Sequence, residues 1–319
     1  MARKDKFIHF AEYAALRLAL GFFGALGIDR ASSVGGWLGR HVGPKVGVSN
    51  RARNNLAIAM PELSPEEIER IIIGMWDNLG RTIAEYAYLP LLTRPEERQR
   101  FDIQHAGLLR ALAESGNGAV FVSGHFANWE LLPAVMQFEG LEGGSVYRHA
   151  NNPYVEQWLV DHRKKVTEAV QIPKGNPGAR VIVRLMKENK FVAMLTDQKM
   201  NDGLPARFFG LRAMTPSAPA GLAVRYGIPI VPAWIERLEG VNFRIVVYDP
   251  IVARPGADPV EEVQRITQEL YRVWAYVGLM RDEYPPFRFD TGGPDPGTST
   301  LPVPGPPPRP ELVGPVSRP

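Results

Sequence analysis

Short apolar runs recur between residues 119 and 247, and stretches with helical spacing separate most of them. Ala119-Val120-Phe121-Val122, Ser145-Val146-Tyr147, Ala169-Val170-Gln171-Ile172, Phe191-Val192-Ala193-Met194-Leu195, Ile228-Pro229-Ile230-Val231-Pro232 and Phe243-Arg244-Ile245-Val246-Val247 read as strands. The helical patterns are Leu131 to Phe138, Pro153 to Lys165, Pro177 to Glu188 and Pro216 to Tyr226. Strands joined through helices return parallel to one another, whereas antiparallel neighbours need only a tight turn. The alternation therefore predicts an α/β fold, a mostly parallel sheet covered by helices. Prolines around Ile230 predict an edge position or poor pairing for that strand, because proline cannot donate to a ladder.

Upstream, Ser64-Pro65-Glu66-Glu67 carries the signals of a helix start: an N-cap serine, proline at the first helical position and a glutamate placed for a capping box. Ile68, Ile71, Ile72, Met75, Trp76, Leu79 and Ile83 follow at helical spacing and predict one buried stripe. The 319 residues suffice for a substantial core. The absence of cysteine excludes disulfides and thiolate-ligated metal sites. A net charge of +3 conceals local clusters, Arg51 with Arg53, Arg148, and Arg163-Lys164-Lys165, that suit phosphates, anionic head groups or an acidic carrier protein as readily as solvent. No recognised nucleic-acid motif accompanies them.

His125 and Glu130 follow the run at Ala119, at the strand end where open α/β sheets place their chemistry. A histidine there accepts a proton near neutral pH, and a nearby carboxylate fixes its tautomer and stabilises the imidazolium. Residues five apart do not share a face of a regular helix, so the two meet only if His125 sits in the turn and Glu130 in the first helical turn. Gly124 loosens that turn, Asn128 is a fair N-cap, and Pro133 suits a first turn. The spacing alone is common, and a histidine packed beside a strand with a solvated glutamate would also produce it. Arg148 follows the next strand. Asp197 ends another, where a carboxylate orients a base, binds substrate or caps a turn beside Gln198. Arg163 and Lys164 lie on a helix, facing solvent or a carrier. A metal-dependent hydrolase using His125, Glu130, His149 and His162 is disfavoured, since no His-x3-His or His-Glu-x-x-His spacing exists to build its site.

The string His125-Phe126-Ala127-Asn128-Trp129-Glu130 resembles the His-x4-Asp/Glu motif of the lipid A biosynthesis acyltransferases, the late lauroyl/myristoyl-type enzymes of lipopolysaccharide assembly. Asn54-Asn55-Leu56 with Pro61-Glu62, and the helix carrying Asn78 and Glu85, are similar to the family's N-terminal region. Val146-Tyr147-Arg148 with Asn151-Asn152-Pro153 looks like its second block, and Asp197-Gln198 with Phe208-Phe209-Gly210 like its third. The resemblance implies a glycerolipid acyltransferase-like fold. It implies transfer of a fatty acyl group from acyl-acyl carrier protein to a hydroxyl of a glycolipid acceptor, a lipid A precursor. In that reading His125 is the base and Glu130 its partner in a dyad, and Arg148, Asn151, Arg163 and Asp197 contact substrate. No cofactor, metal or nucleic acid is implied. No Gly-x-Ser-x-Gly elbow is present, so no acyl-enzyme is indicated. A related branch acylates mannosylated phosphatidylinositol, and an inactive membrane scaffold of the same fold is a further alternative.

Phe7 to Leu26 is rich in alanine and leucine but carries Glu12 and Arg17. It predicts, over residues 1–30, a retained helix that spans or lies along a membrane, which the resemblance makes the cytoplasmic face of the inner membrane. Residues 31–284 then form the acyltransferase domain, and the Pro/Gly-rich residues 285–319 a disordered tail. Relatives usually close the domain with a Trp-x-x-His-Arg-Arg-like stretch; here the region reads Trp274-Ala275-Tyr276-Val277-Gly278-Leu279-Met280-Arg281, and no histidine follows His162.

Overall fold

A computed structural model describes residues 3–279. Helices α1 (Arg3–Gly24), α2 (Ile28–Val42), α3 (Ser49–Ala59), α4 (Pro65–Glu85) and a short α5 (Leu89–Leu92) precede the sheet. The capping box forms as expected: the Ser64 hydroxyl accepts from the Glu67 N–H at 3.2 Å, and Glu67 accepts from the Ser64 N–H at 2.8 Å. The stripe that follows is only partly buried. Ile72 is buried, but Met75 and Ile83 are exposed, and the inward face includes Thr82, Ala84 and Glu85. The reason is the partner. Helix α4 lies against α2 so closely that a Cβ on Gly80 would stand 2.1 Å from the Gly35 carbonyl oxygen, so backbones rather than large side chains meet there.

The main sheet contains strands β1 (Phe101–Gln104), β2 (Val120–Ser123), β3 (Gly143–Tyr147), β4 (Val170–Pro173) and β5 (Phe191–Leu195). A separate antiparallel hairpin is made by β6 (Leu204–Phe208) and β7 (Leu211–Thr215). Strands β8 (Ile230–Arg237) and β9 (Phe243–Val247) complete the seven-stranded sheet, whose order is β1-β9-β8-β2-β5-β3-β4. Only β8 and β9 pair antiparallel within it, so the sheet is mostly parallel. Helices α6 (Ala106–Ser115), α7 (Leu132–Phe138), α8 (Pro153–Arg163), α9 (Asn176–Lys187), α10 (Ala218–Tyr226) and α11 (Pro259–Leu279) accompany it.

The two faces of β2 show the layering. Phe121 packs in a core with Leu131, Val135 and Met136 of the α7 region, whereas Val120 and Val122 pack with Ala220, Ala223, Ile266 and Leu270 from α10 and α11. A strand buried on both faces reads as a continuous apolar run, which is why it was legible.

The strand around Ile230 is not at an edge. Strand β8 lies between β2 and β9, and Val120 donates to the Pro229 carbonyl at 2.9 Å. Pro232 is tolerated because it stands where the β9 ladder ends: Ala233 pairs with Val247, and Tyr248 donates to the Pro232 carbonyl at 2.9 Å.

Among the described residues no helix is long and apolar enough to cross a membrane, so the spanning alternative for Phe7 to Leu26 is not supported. Helix α1 buries Leu20 and Phe23, the latter against Ala31 and Ala84, and exposes Phe7, Phe10, Leu18 and Phe22. The expected tail, residues 285–319, lies outside the described residues.

Candidate active site

Parallel neighbours with matched register carry residues at equal distances past their ends to the same place. Ser123, the last residue of β2, pairs with Leu195, the last of β5. One residue on, the Thr196 N–H donates to the Ser123 carbonyl at 2.8 Å. One further residue on, His125 meets Asp197: Nδ1 lies 2.9 Å from Oδ1 and 3.0 Å from Oδ2, and the His125 backbone N–H donates to Oδ2 at 3.0 Å. A carboxylate only accepts, so Nδ1 carries a proton, and in the neutral ring Nε2 is the nitrogen with the lone pair. Burial alone would raise the Asp197 carboxyl, but the hydrogen bonds from His125 outweigh it and hold the group below the usual carboxylate range. Gly124 makes the crossing possible, since a Cβ there would stand 2.8 Å from the Phe126 ring and 3.2 Å from the Asp197 Cβ.

Glu130 is not the partner of this histidine. It sits in a single 3₁₀ turn, Trp129–Leu131, rather than in the first turn of α7, and is buried. Its carboxylate is gripped by Arg163, Nε to Oε2 at 2.8 Å and Nη2 to Oε1 at 2.5 Å, and accepts from the Tyr86 hydroxyl at 2.7 Å. Burial pushes this carboxyl up, but the hydrogen bonds and charge of Arg163, with the hydrogen bonds of Tyr86 and Trp129, together outweigh it and leave it depressed. Burial and the Glu130 charge together push the Tyr86 hydroxyl well above its ordinary value, so it stays a donor. Asn128 does not cap a helix either; its amide donates to Glu85 at 2.9 Å. Trp129 connects the two groups, with its ring edge-on to the His125 imidazole at 4.9 Å between centroids.

A cleft of about 420 Å³ runs along this edge of the sheet, within the range of ligand pockets. Phe121, Val122, Leu132, Met136, Val166 and Met194 are its buried apolar lining, while His125, Arg148, Lys174 and Lys199 are exposed lining residues. Arg148 and Lys174 follow β3 and β4, continuing the row that β2 and β5 begin. Arg148 makes no ion pair among the described residues. Arg163, expected to face solvent or a carrier, is instead half-buried: it lines the cleft, is neutralised by Glu130, and lies 5.6 Å from the Tyr147 ring centroid. Asn151 is exposed and does not line the cleft; its neighbour Asn152 is the buried one, capping α8 by accepting from the Tyr154 N–H at 3.0 Å. Sequence reasoning missed Tyr86, Lys174 and Lys199. For Lys174 a signal existed, since it directly follows the expected strand Ala169 to Ile172 and Pro173.

Helix α11, in which the stretch that departs from the usual pattern begins, also touches the site. The Tyr271 hydroxyl donates to the Thr196 carbonyl at 2.8 Å, and the Trp274 indole to the Thr196 hydroxyl at 3.1 Å. Helix α11 thus braces the residue before Asp197.

Comparison with known proteins adds an independent line. A phosphatidylinositol mannoside acyltransferase of Mycobacterium tuberculosis (strain CDC 1551 / Oshkosh) is 24% identical over 266 residues, 81% of this chain and 80% of that protein. A lipid A biosynthesis palmitoleoyltransferase of Escherichia coli (strain K12) is 28% identical over 149 residues, 46% of this chain and 47% of that one. Among solved structures, the 1-acyl-sn-glycerophosphate acyltransferase PlsC of Thermotoga maritima aligns at 12% identity with a TM-score of 0.35, over 86% of this chain and 98% of its own. The model of the bacterial lipid A biosynthesis acyltransferase family matches residues 2–274, nearly the whole of the described chain, and the protein belongs to that family of acyltransferases.

Proposed function

We propose that the protein transfers a fatty acyl group from a carrier thioester, acyl-acyl carrier protein, to a hydroxyl of a phosphorylated glycolipid, with His125 as general base and Asp197 as its orienting carboxylate. The observation that carries the reading is the Nδ1–carboxylate hydrogen bond at 2.9 Å, which leaves Nε2 able to accept a proton beside an apolar-lined cleft. The acceptor hydroxyl gives its proton to Nε2 as its oxygen attacks the thioester carbonyl. The tetrahedral oxyanion collapses, the C–S bond breaks, and the imidazolium returns the proton to the leaving thiolate. No group on the enzyme is acylated. Arg148, which makes no ion pair among the described residues, is placed to take a phosphate of the acceptor with its planar fork. Glu130 serves a different purpose, holding Arg163 in the cleft wall.

A lipid A precursor is the acceptor implied by the sequence resemblance. A mannosylated phosphatidylinositol is the second reading, favoured by one observation: the mycobacterial relative aligns over 81% of this chain, the Escherichia coli one over 46%. The work site we propose is the cytoplasmic face of the inner membrane, with α1 lying along it; exposed Phe7, Leu18 and Phe22 support this. Mass spectrometry of glycolipids from cells with and without the protein tests the function. A loss of one acyl chain from lipid A precursors supports the first acceptor and from phosphatidylinositol mannosides the second. Unchanged acylation of both classes contradicts the proposal.

A further inference from the structure

The turn that carries His125 is held from below by side chains that never reach the cleft. Ala127 has φ 40°, a left-handed backbone that alanine rarely adopts and that persists only when its surroundings over-determine it. Its carbonyl oxygen accepts two hydrogen bonds from α4, from Asn78 Nδ2 at 3.1 Å and from the Thr82 hydroxyl at 3.0 Å. Arg237, the last residue of β8, aims both donors. Its Nε donates to Asn78 Oδ1 at 3.2 Å, so the other end of that amide must face Ala127. One Nη stands 3.5 Å from the Thr82 oxygen, leaving the hydroxyl proton for Ala127. The same guanidinium grips Glu85 at 2.5 and 3.0 Å, and Glu85 accepts in addition from Asn128 Nδ2 at 2.9 Å and from the Ser32 hydroxyl at 2.7 Å. Two consecutive residues of the turn, Ala127 and Asn128, are therefore fixed to one helix through one buried ion pair.

We propose that Arg237, Asn78, Thr82 and Glu85 form a clamp that sets the backbone of the His125 turn, and are positioning residues for the acyl transfer proposed above. The proposal rests on that reading for its chemistry, and on the contacts alone for the clamp. Glu85 is fully buried and Arg237 nearly so. A pair at such depth is weak evidence for stability, whereas fixing one geometry is a recognised use of it. A glutamine at 85 would not substitute, because its amide protons would face groups that donate to the carboxylate.

The test is Asn78→Leu combined with Thr82→Val in the full-length enzyme, which removes both donors from the Ala127 carbonyl. Turnover should fall about 10²-fold with the KM for acyl donor unchanged, as expected when a reacting group is misplaced by about an ångström. In ¹⁵N-labelled protein the His125 imidazole should change from the single Nδ1-protonated tautomer of the wild type to a mixture, a signature that a merely structural role would not move. Thr82→Ser, which keeps the hydroxyl, should retain turnover where Thr82→Val does not. If Asn78→Leu/Thr82→Val does not fold, Glu85→Met with Arg237→Met removes both charges together and carries the same expectations. A folded variant with the wild-type tautomer signal and turnover overturns the clamp, as does Thr82→Ser behaving like Thr82→Val. Wild-type enzyme that transfers no acyl group would overturn the reading of the function instead, and the tautomer signal would still decide the clamp.

Discussion

Nδ1 and the backbone N–H of His125 both converge on Asp197, while the Glu130 carboxylate is filled by Arg163 and Tyr86. The two carboxylates should therefore fail differently when neutralised. Asp197→Asn presents an amide that accepts at one atom only, so the ring loses its fixed tautomer. Turnover should fall within the range of about 10²–10⁴-fold associated with general-base catalysis, while the melting temperature falls less than for Glu130→Gln, because Asp197 is partly exposed. Glu130→Gln leaves a half-buried guanidinium without its counter-charge and should destabilise the fold by about 3 kcal/mol, read as a lowered melting temperature. This difference carries a pH signature. The Glu130 carboxyl is depressed below its ordinary value of 4.5, so its stabilisation is complete above that value and is lost as pH falls through the lowered one. The gap in melting temperature between wild type and Glu130→Gln should be constant from neutral pH down to about 5 and narrow below the ordinary carboxylate range. A gap independent of pH would contradict the ion pair.

At the scale of elements, the close approach of α2 and α4 supports the platform from which Asn78, Thr82 and Glu85 reach the turn. Gly80→Ala introduces a methyl 2.1 Å from the Gly35 carbonyl and should cost about 1–3 kcal/mol through overpacking, measured by chemical denaturation. An unchanged midpoint would show that the helices separate freely. The same elements show what sequence could reveal. Apolar runs such as Phe191 to Leu195 announced themselves because parallel strands are buried on both faces. The capping box at Ser64 was legible because it is local chemistry. The His125–Asp197 contact was not, because it depends on β2 and β5 being neighbours in matched register, and nothing local to either strand encodes its partner. Glu130 took the role of partner from its short spacing and from the His-x4-Asp/Glu resemblance, whereas the arginine that holds it lies 33 residues away. Strand β1 and the β6–β7 hairpin escaped notice for the related reason that short strands with mixed burial leave no clean period.

The molecule as a whole places an apolar-lined cleft with cations at its exposed rim along the C-terminal ends of the sheet strands, and its N-terminal helices leave Phe7, Leu18 and Trp37 exposed. A protein working on lipid acceptors can use such a surface to lie on a bilayer rather than cross it. Phe7→Glu with Leu18→Glu should shift the protein from the membrane to the soluble fraction without lowering its melting temperature, because both side chains are about three-quarters exposed, at 74% and 75%. Unchanged sedimentation with membranes would remove α1 from that role. In the mechanism we propose, His125, held by Asp197, deprotonates the acceptor hydroxyl. The most direct measurement of that step is acyl transfer from acyl-acyl carrier protein to purified glycolipid acceptor by folded His125→Ala, followed by mass spectrometry of the product. The rate should be lower than wild type by about 10²–10⁴-fold, with the melting temperature unchanged. Wild-type turnover by that variant would contradict it.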